Sequence, residues 1–465
     1  MVTDTIWPPN FQDSTQSKYI VLVQSLRAAV RSGALSPGEK LPPVRELAWQ
    51  LGITPGTVAR AYKLAVQEGL LDTTVGRGTF VSSGHREDPP DDISLVAHMA
   101  HDDLNLRGIR VPDVGQEGII RDIVRRLGTD GGMGYIDCPA PDKDLAARKA
   151  VVQWIGEDRV GRLSPDDIVL GLGAQHTVIL TLQACLYGPN PIILTEDLAF
   201  PGVRHAARML RAQVLGVGMD QQGLRPDRFE AVLREHGGQV LLTSAETHSP
   251  TTIRTTLERR REIADVASRY QVQIIEDDCH TVARPELPAY RAICPEWSWY
   301  VSSLTKSVSA ALRFGFVACA KGQGVTAHQV AQSSFYGLPL PMLDICEAFI
   351  TSGQAETVRQ KVEARIAERV RQAVNILGQW DISWRPDAPF VWLKLPRGWR
   401  CSTFMLACGS EGIGIKPADE FVLADGHAPN AVRIGMNPDL TNAEFEGALQ
   451  KLSQMLAKPP ATVDV

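Results

Sequence analysis

The sequence predicts a multidomain chain: a small winged helix-turn-helix head, a short linker, and a large α/β body with a mostly parallel central sheet and a smaller α+β C-terminal subdomain. Three observations carry this prediction. The 465 residues exceed what one core ordinarily organises, since domains run to roughly 100–200 residues. Near the N-terminus, two short helical patterns meet at a glycine turn and precede a pair of β-prone stretches with glycines between them. Further along, short continuous apolar runs alternate with helical patterns, as in a parallel sheet covered on both faces.

Lys18 to Ser32 sets Ile20, Val21, Val23, Leu26, Ala29 and Val30 close to helical spacing, which predicts an amphipathic helix. Gly33 and Pro37-Gly38 break it. Pro42-Pro43 opens a second helix through Leu51 and Gly52 ends it; Thr54-Pro55 supplies an N-cap and first-turn proline for a third helix running to Glu68. Two helices joined by a tight glycine turn form a helix-turn-helix. Leu70 to Val75 and Thr79 to Ser82 flank Gly76-Arg77-Gly78, a hairpin with an arginine at its tip. The head is placed at residues 14–83. Residues 84–94 are polar, hold Pro89-Pro90 and lack apolar periodicity, so they read as a linker. In the body, residues 95–465, strands are expected at Ile168 to Leu170, Ile192 to Thr195, Val214 to Val217, Val240 to Thr243, Val272 to Glu276, Trp299 to Ser302 and Phe314 to Ala318. Met342 to about Leu377 is helical. Phe390 to Leu395 and Ala431 to Met436 are strands of the C-terminal subdomain, about residues 345–465.

The composition, 44% hydrophobic and 22% charged, is globular. No apolar run approaches the ~20 residues that span a bilayer, and Met1 to Asn10 lacks the order of a secretory signal, so a cytoplasmic protein with no membrane partner is expected. Eight cysteines without a C-x-x-C pair argue against a disulfide framework and against a zinc site, and no metal is expected. The net charge of -5 is unevenly placed: Lys18 to Val81 holds eight Lys/Arg against four acids, so +4 on the head leaves -9 on the rest. A basic head on an acidic body suits a polyanion-binding module joined to a domain that binds something else.

In the head, Leu41-Pro-x-x-Arg45-x-Leu47-Ala48, Thr57-Val58-x-Arg60-Ala61-Tyr62 and Gly76-x-Gly78-Thr79-x-Val81 occur together. With these elements the stretch resembles the GntR family of winged helix-turn-helix regulators. The resemblance implies a recognition helix beginning at Thr54 to Arg60, with Arg45, Thr54, Thr57, Arg60 and wing Arg77 at double-stranded operator DNA. Arginines and hydroxyls contact phosphates, and an arginine fork can read guanine edges. Gly56 departs from the larger polar residues common in relatives. One helix-turn-helix is small and operators offer two half-sites, so a homodimer is expected.

In the body, the most informative segment is Ser302 to Phe316, SSLTKSVSAALRFGF. It resembles the Schiff-base region of fold-type I aminotransferases, which implies pyridoxal 5'-phosphate on Lys306 with Ser303, Thr305 and Arg313 at its phosphate. Such chemistry needs an amine whose pKa is lowered by a cationic, partly desolvated setting. Gly171-Leu172-Gly173-Ala174-Gln175 follows a strand and opens a helix, where small residues and free amides suit a phosphate; the resemblance assigns it to Ala174 and Gln175. Glu276-Asp277-Asp278 ends a buried strand, and Asp277 aligns with the aspartate that keeps the pyridine nitrogen protonated. By the same resemblance Phe200 stacks on the ring, Tyr135 reaches the partner subunit's phosphate, and Arg433 grips the carboxylate of an amino-acid ligand.

The whole order resembles the MocR/GabR regulators. Cys279 stands where relatives carry a tyrosine for the cofactor's phenolic oxygen, and Thr247 to Thr252 replaces a His-Gln-x-Pro-Thr-Gly loop, with His248 still able to donate a hydrogen bond and Thr252 at the glycine. These losses touch the ring's electronics more than its attachment. Three readings stand: a transcription regulator sensing an amino-compound effector by aldimine exchange at Lys306, with at most residual transamination; a working aminotransferase with an appended DNA-binding head; and a repressor whose body senses an acid without the cofactor.

Overall fold

The computed structural model describes residues 18–32, 34–36, 38–67, 70–74, 78–81, 104–129, 135–136, 138–139, 142–423, 426 and 428–460. The expected linker, 84–94, and wing Arg77 lie outside the described residues, as do residues 14–17 at the start of the head. By contact density the chain divides into residues 1–94 and 95–465.

In the head, α1 (Lys18–Ser32), α2 (Val44–Leu51) and α3 (Pro55–Gln67) pack around Leu22, Leu26, Leu47, Val58, Ala61 and Tyr62. Gly52, at φ 59, ends α2 with its N–H on the carbonyls of Ala48 and Trp49, a left-handed cap that glycine adopts at little cost. Thr54 Oγ1 accepts the N–H of Thr57 at 3.3 Å, the expected N-cap of α3. Tyr62 Oη donates to the Pro42 carbonyl at 2.9 Å and ties α3 to the turn before α2. The hairpin strands β1 (Leu71–Thr74) and β2 (Gly78–Val81) are antiparallel, with Leu71 opposite Val81.

The body begins with β3 (Leu104–Asn105) and is built on a seven-stranded sheet. Its members are β4 (Ile168–Leu172), β5 (Ile192–Glu196), β6 (Gln213–Val217), β7 (Val240–Thr243), β8 (Gln273–Asp277), β9 (Ser298–Ser303) and β10 (Phe314–Ala318). They lie in the order β4-β10-β9-β8-β7-β5-β6. All are parallel except β10, which runs against both neighbours. The exception has a simple cause. A parallel crossover needs a dozen or more residues, whereas residues 304–313 are the whole connection from β9 to β10, so the chain can only turn back. That short return is the lysine-bearing turn.

The strand order places the C-terminal ends of β4, β5, β8 and β9 and the start of β10 on one edge, where α/β sheets bind ligands. Two glycines let β4 and β10 meet there. A Cβ on Gly315 would stand 2.4 Å from the Gly173 carbonyl carbon, and Gly173 itself turns at φ 82 into α4 (Ala174–Cys185). The C-terminal subdomain sets β11 (Ile382–Ser383), β12 (Phe390–Lys394), β14 (Lys416–Pro417) and β15 (Ala431–Gly435) into an antiparallel sheet of order β11-β12-β15-β14, while β13 (Ile413–Gly414) pairs in parallel with β3. This last pairing, which the periodicity does not reveal, swings residues 106–110 back over the edge of the large sheet.

Candidate functional site

One cavity of about 480 Å³ receives Ala174, Gln175, Phe200, Asp277, Ser303, Thr305, Lys306, Arg313 and Arg433, so every residue expected at the cofactor and ligand except Tyr135 lines it. At one end, α4 presents its first turn, whose amides have no partners within the helix. Beside it, Ser303 Oγ accepts the N–H of Thr305 at 3.3 Å, and Arg313 Nη2 donates to the Leu172 carbonyl at 3.1 Å. Arg313 takes φ 45, a left-handed conformation costly for a side-chain-bearing residue, and its guanidinium would lie 3.1 Å from any Cβ at Gly173. Glycine there lets the arginine lie against the helix start. Among the described residues, Thr305 Oγ1 is buried without a partner. A helix start, a guanidinium and an unpaired hydroxyl form a donor set that fits a phosphate.

Lys306 Nζ donates to the Ile109 carbonyl at 2.7 Å. Burial chiefly lowers its pKa, opposed by Cys279, and the cations Arg433 and Arg313 lower it further. Such an amine is more readily deprotonated and nucleophilic than a surface lysine.

The acidic triplet is sorted by strand alternation. Glu276 and Asp278 turn to one side of β8, where Arg159 Nη2 meets them at 2.9 and 3.1 Å and Tyr300 Oη donates to Asp278 at 2.7 Å. Asp277 turns to the other side and into the cavity. The backbone N–H of Cys279 donates to it at 3.1 Å, and burial pushes its carboxyl up to about 6. It is therefore mostly ionised at neutral pH and able to hold a protonated ring nitrogen. The thiol of Cys279 does line the cavity where relatives place a phenol; burial pushes it well above its ordinary value, so it stays protonated. His280, buried and neutral, packs edge-on between Phe200 at 5.5 Å and Phe390 at 6.0 Å.

His248 does not face the cavity: its ring nitrogens are taken by Thr251 Oγ1 at 2.7 Å and the Leu198 carbonyl at 2.9 Å, which braces the loop leading to Phe200. Thr252, at the relatives' glycine, holds φ 65. The loop still demands a left-handed residue, and a β-branched one meets that demand under strain.

At the other end, Arg433 is 3% exposed and sits between the rings of Phe390 and Phe421. It donates to Ser249 Oγ at 2.9 Å and to the Arg107 carbonyl at 3.1 Å, its Nε has no partner, and among the described residues no carboxylate lies at ion-pair distance. Burial brings its pKa down to about 10. Tyr135 is 41% exposed and donates to Asp344 Oδ2 at 2.7 Å, away from the cavity. Arg107, Ile109 and Lys416 line the cavity unannounced by the motifs.

On the head, Arg45 and Arg60 are exposed, and the Arg60 guanidinium stacks 4.2 Å from the Tyr19 ring. Thr54 and Thr57 share a hydroxyl contact at 2.9 Å at the start of α3.

Residues 126–452 match the family described as aminotransferase class I and II, and residues 18–81 match the bacterial regulatory proteins of the gntR family. The chain belongs to the aminotransferase class I and II family, in its GntR-headed, MocR-type form. This regulator is 26% identical to YdeF of Bacillus subtilis (strain 168), an uncharacterized HTH-type transcriptional regulator, over 97% of this chain and 96% of that one. It is 24% identical to PtsJ of Salmonella typhimurium, a vitamin B6 salvage pathway transcriptional repressor, over 83% of this chain and 87% of that one. Its body superposes on the kynurenine aminotransferase of Pyrococcus horikoshii with TM-score 0.69 and 18% identity, over 77% of this chain and 92% of that one, a likeness of fold. Among the described residues, no helix of the regulator is long and apolar enough to cross a membrane.

Proposed function

We propose that the regulator, a DNA-binding transcription factor, uses pyridoxal 5'-phosphate at Lys306 to sense an amino compound. The observation that carries this reading is the meeting, in one cavity, of a desolvated lysine with depressed pKa, an aspartate without a cationic partner and a buried unpaired hydroxyl beside an arginine and a helix start. When bound, the cofactor supplies an aldehyde that condenses with amines and a ring that withdraws electrons. In this assignment Ala174, Gln175, Ser303, Thr305 and Arg313 hold the phosphate, Asp277 holds the ring nitrogen's proton by a bond worth about 1.5–3 kcal/mol, and Phe200 covers a ring face. Arg433 would take a carboxylate of the effector, and Lys306 would yield its place at the cofactor's aldehyde to the effector's amine. PtsJ, named for vitamin B6 salvage, supports the choice of cofactor.

Displacement can affect transcription only if the effector binds two conformations of the regulator with different affinity. Arg45, Thr54, Thr57, Arg60 and Arg77 of the head, residues 14–83, would carry the signal to operator DNA, in a cytoplasmic homodimer matching two half-sites. Residues 84–94 serve as linker and 95–465 as the effector domain; Tyr135 is left for the partner subunit's phosphate. The retained Lys306 and Asp277 favour a second capacity, slow transamination, but Cys279 offers no phenolic donor and His248 is engaged elsewhere, so sensing outweighs turnover.

The test is spectroscopic. The purified regulator supplied with pyridoxal phosphate gains a visible absorption band, candidate amines shift it, and the same amines change affinity for promoter DNA in parallel. A colourless protein that still answers an acid would defeat the assignment, and sustained conversion of an amino acid and a keto acid would favour the enzyme.

A further inference from the structure

At the Arg433 end the cavity holds more positive charge than one ligand carboxylate can balance. Lys416 on β14 faces Arg433 on β15 in register, and its ammonium lies 2.8 Å from Glu420 Oε2. Arg107 bonds the other oxygen of the same carboxylate and donates to the Ile415 carbonyl at 3.2 Å. Arg433 in turn reaches the Arg107 carbonyl. Two cations thus share one carboxylate while a third stands beside them, and Arg107, Lys416 and Arg433 all face the cavity. Asp277 is committed to the opposite end. Burial already lowers the pKa of both Lys416 and Arg433, and the Arg107 guanidinium lowers both further. A carboxylate at Arg433 removes only part of that excess.

We propose that the effector is an amino acid bearing a second anionic group, its α-carboxylate held by Arg433 and its second acid by Lys416 and Arg107. This rests on the reading that an amino compound occupies the cavity, and it narrows the class. Glu420 does not invite a basic side chain, because Lys416 and Arg107 already take both of its oxygens. An apolar side chain would leave the excess charge desolvated.

Acids and their near-isosteric amides separate the possibilities. Calorimetric titration of the full-length regulator with L-glutamate against L-glutamine, and L-aspartate against L-asparagine, is expected to favour the acid by about tenfold or more in at least one pair, the scale of one charge-assisted contact. Lys416→Gln, and independently Arg107→Gln, should compress that preference to about threefold or less, while Lys416→Arg keeps it. Equal or tighter binding of the amide in both pairs, or no binding of either acid, overturns the proposal. The visible band of the same samples is read alongside: a protein without a Lys306-dependent band has failed the cofactor assignment, whereas one that keeps the band and ignores the acid has failed only this inference.

Discussion

The DNA-facing groups of the head and the cavity groups of the body are held in opposite ways. Arg45, Thr54, Thr57 and Arg60 come from α2, α3 and the turn between them and stand at or near the surface, with Arg60 stacked on the Tyr19 ring. Lys306 and Arg313 come from one turn and Asp277 and Arg433 from two strands elsewhere in the chain, and burial has moved the pKa of Lys306, Asp277 and Arg433. The difference teaches where each region is vulnerable. Solvated cations on a head act through long-range attraction that salt weakens, whereas desolvated groups in a cavity act through specific contacts that pH and single substitutions weaken.

Lys306→Ala should break the body's side most completely, removing the visible band altogether when absorbance is recorded with added pyridoxal phosphate. If DNA affinity measured without effector also falls by more than about threefold, head and body are coupled even at rest and the contrast is too sharp. Arg433→Leu should weaken effector binding by about 2–5 kcal/mol in calorimetry, because a buried ligand carboxylate would lose its partner. On the other side, Arg60→Ala should cost about 1–3 kcal/mol of operator affinity and lower the slope of log affinity against log salt by about one, with the absorption spectrum unchanged.

The pH response refines the body's half. With a folded pKa of about 6 against an unfolded value near 4, Asp277 binds its proton more tightly in the folded protein. Its contribution to stability is therefore full below about pH 4 and is lost as pH rises toward and through 6. Urea midpoints of the cofactor-free protein should show this loss, of order 1 kcal/mol or more, and Asp277→Asn should flatten that part of the profile. The smallest effect is expected at Thr252→Gly. Relief of the φ 65 strain outweighs the added chain entropy of glycine, so stability should rise by up to about 1 kcal/mol, seen as a body transition about 2 °C higher in a thermal scan.

Much of this site is legible in the chain because its motifs are short and local. A serine- and threonine-rich turn around Lys306, a glycine pair before a helix and an acidic strand end each sit within a few residues. The choice of Asp277 among three acids rests on the family resemblance; the period of two is the physical reason the strand turns it away from Glu276 and Asp278, which share Arg159. Arg107 and Lys416 were not legible, because nothing nearby marks them; they enter through the pairing of β3 with β13 and of β14 with β15. The exchange of Tyr for Cys279 could be seen in the sequence, but the withdrawal of His248 to the Leu198 carbonyl could not.

By itself the sequence determined the order of head and body, the three helices of the head and the strands of the sheet, since these rest on periodicity and turn chemistry that neighbouring residues settle among themselves. The reversal of β10 emerged only in the structure, where the brevity of residues 304–313 explains it. Only the tertiary structure decided which charges are buried together, that Arg433 lacks an acidic partner while Lys416 and Arg107 share one, and that Thr305 Oγ1 is left unpaired. Desolvation and charge pairing depend on every atom that comes near, and those atoms arrive from parts of the chain that no local pattern connects.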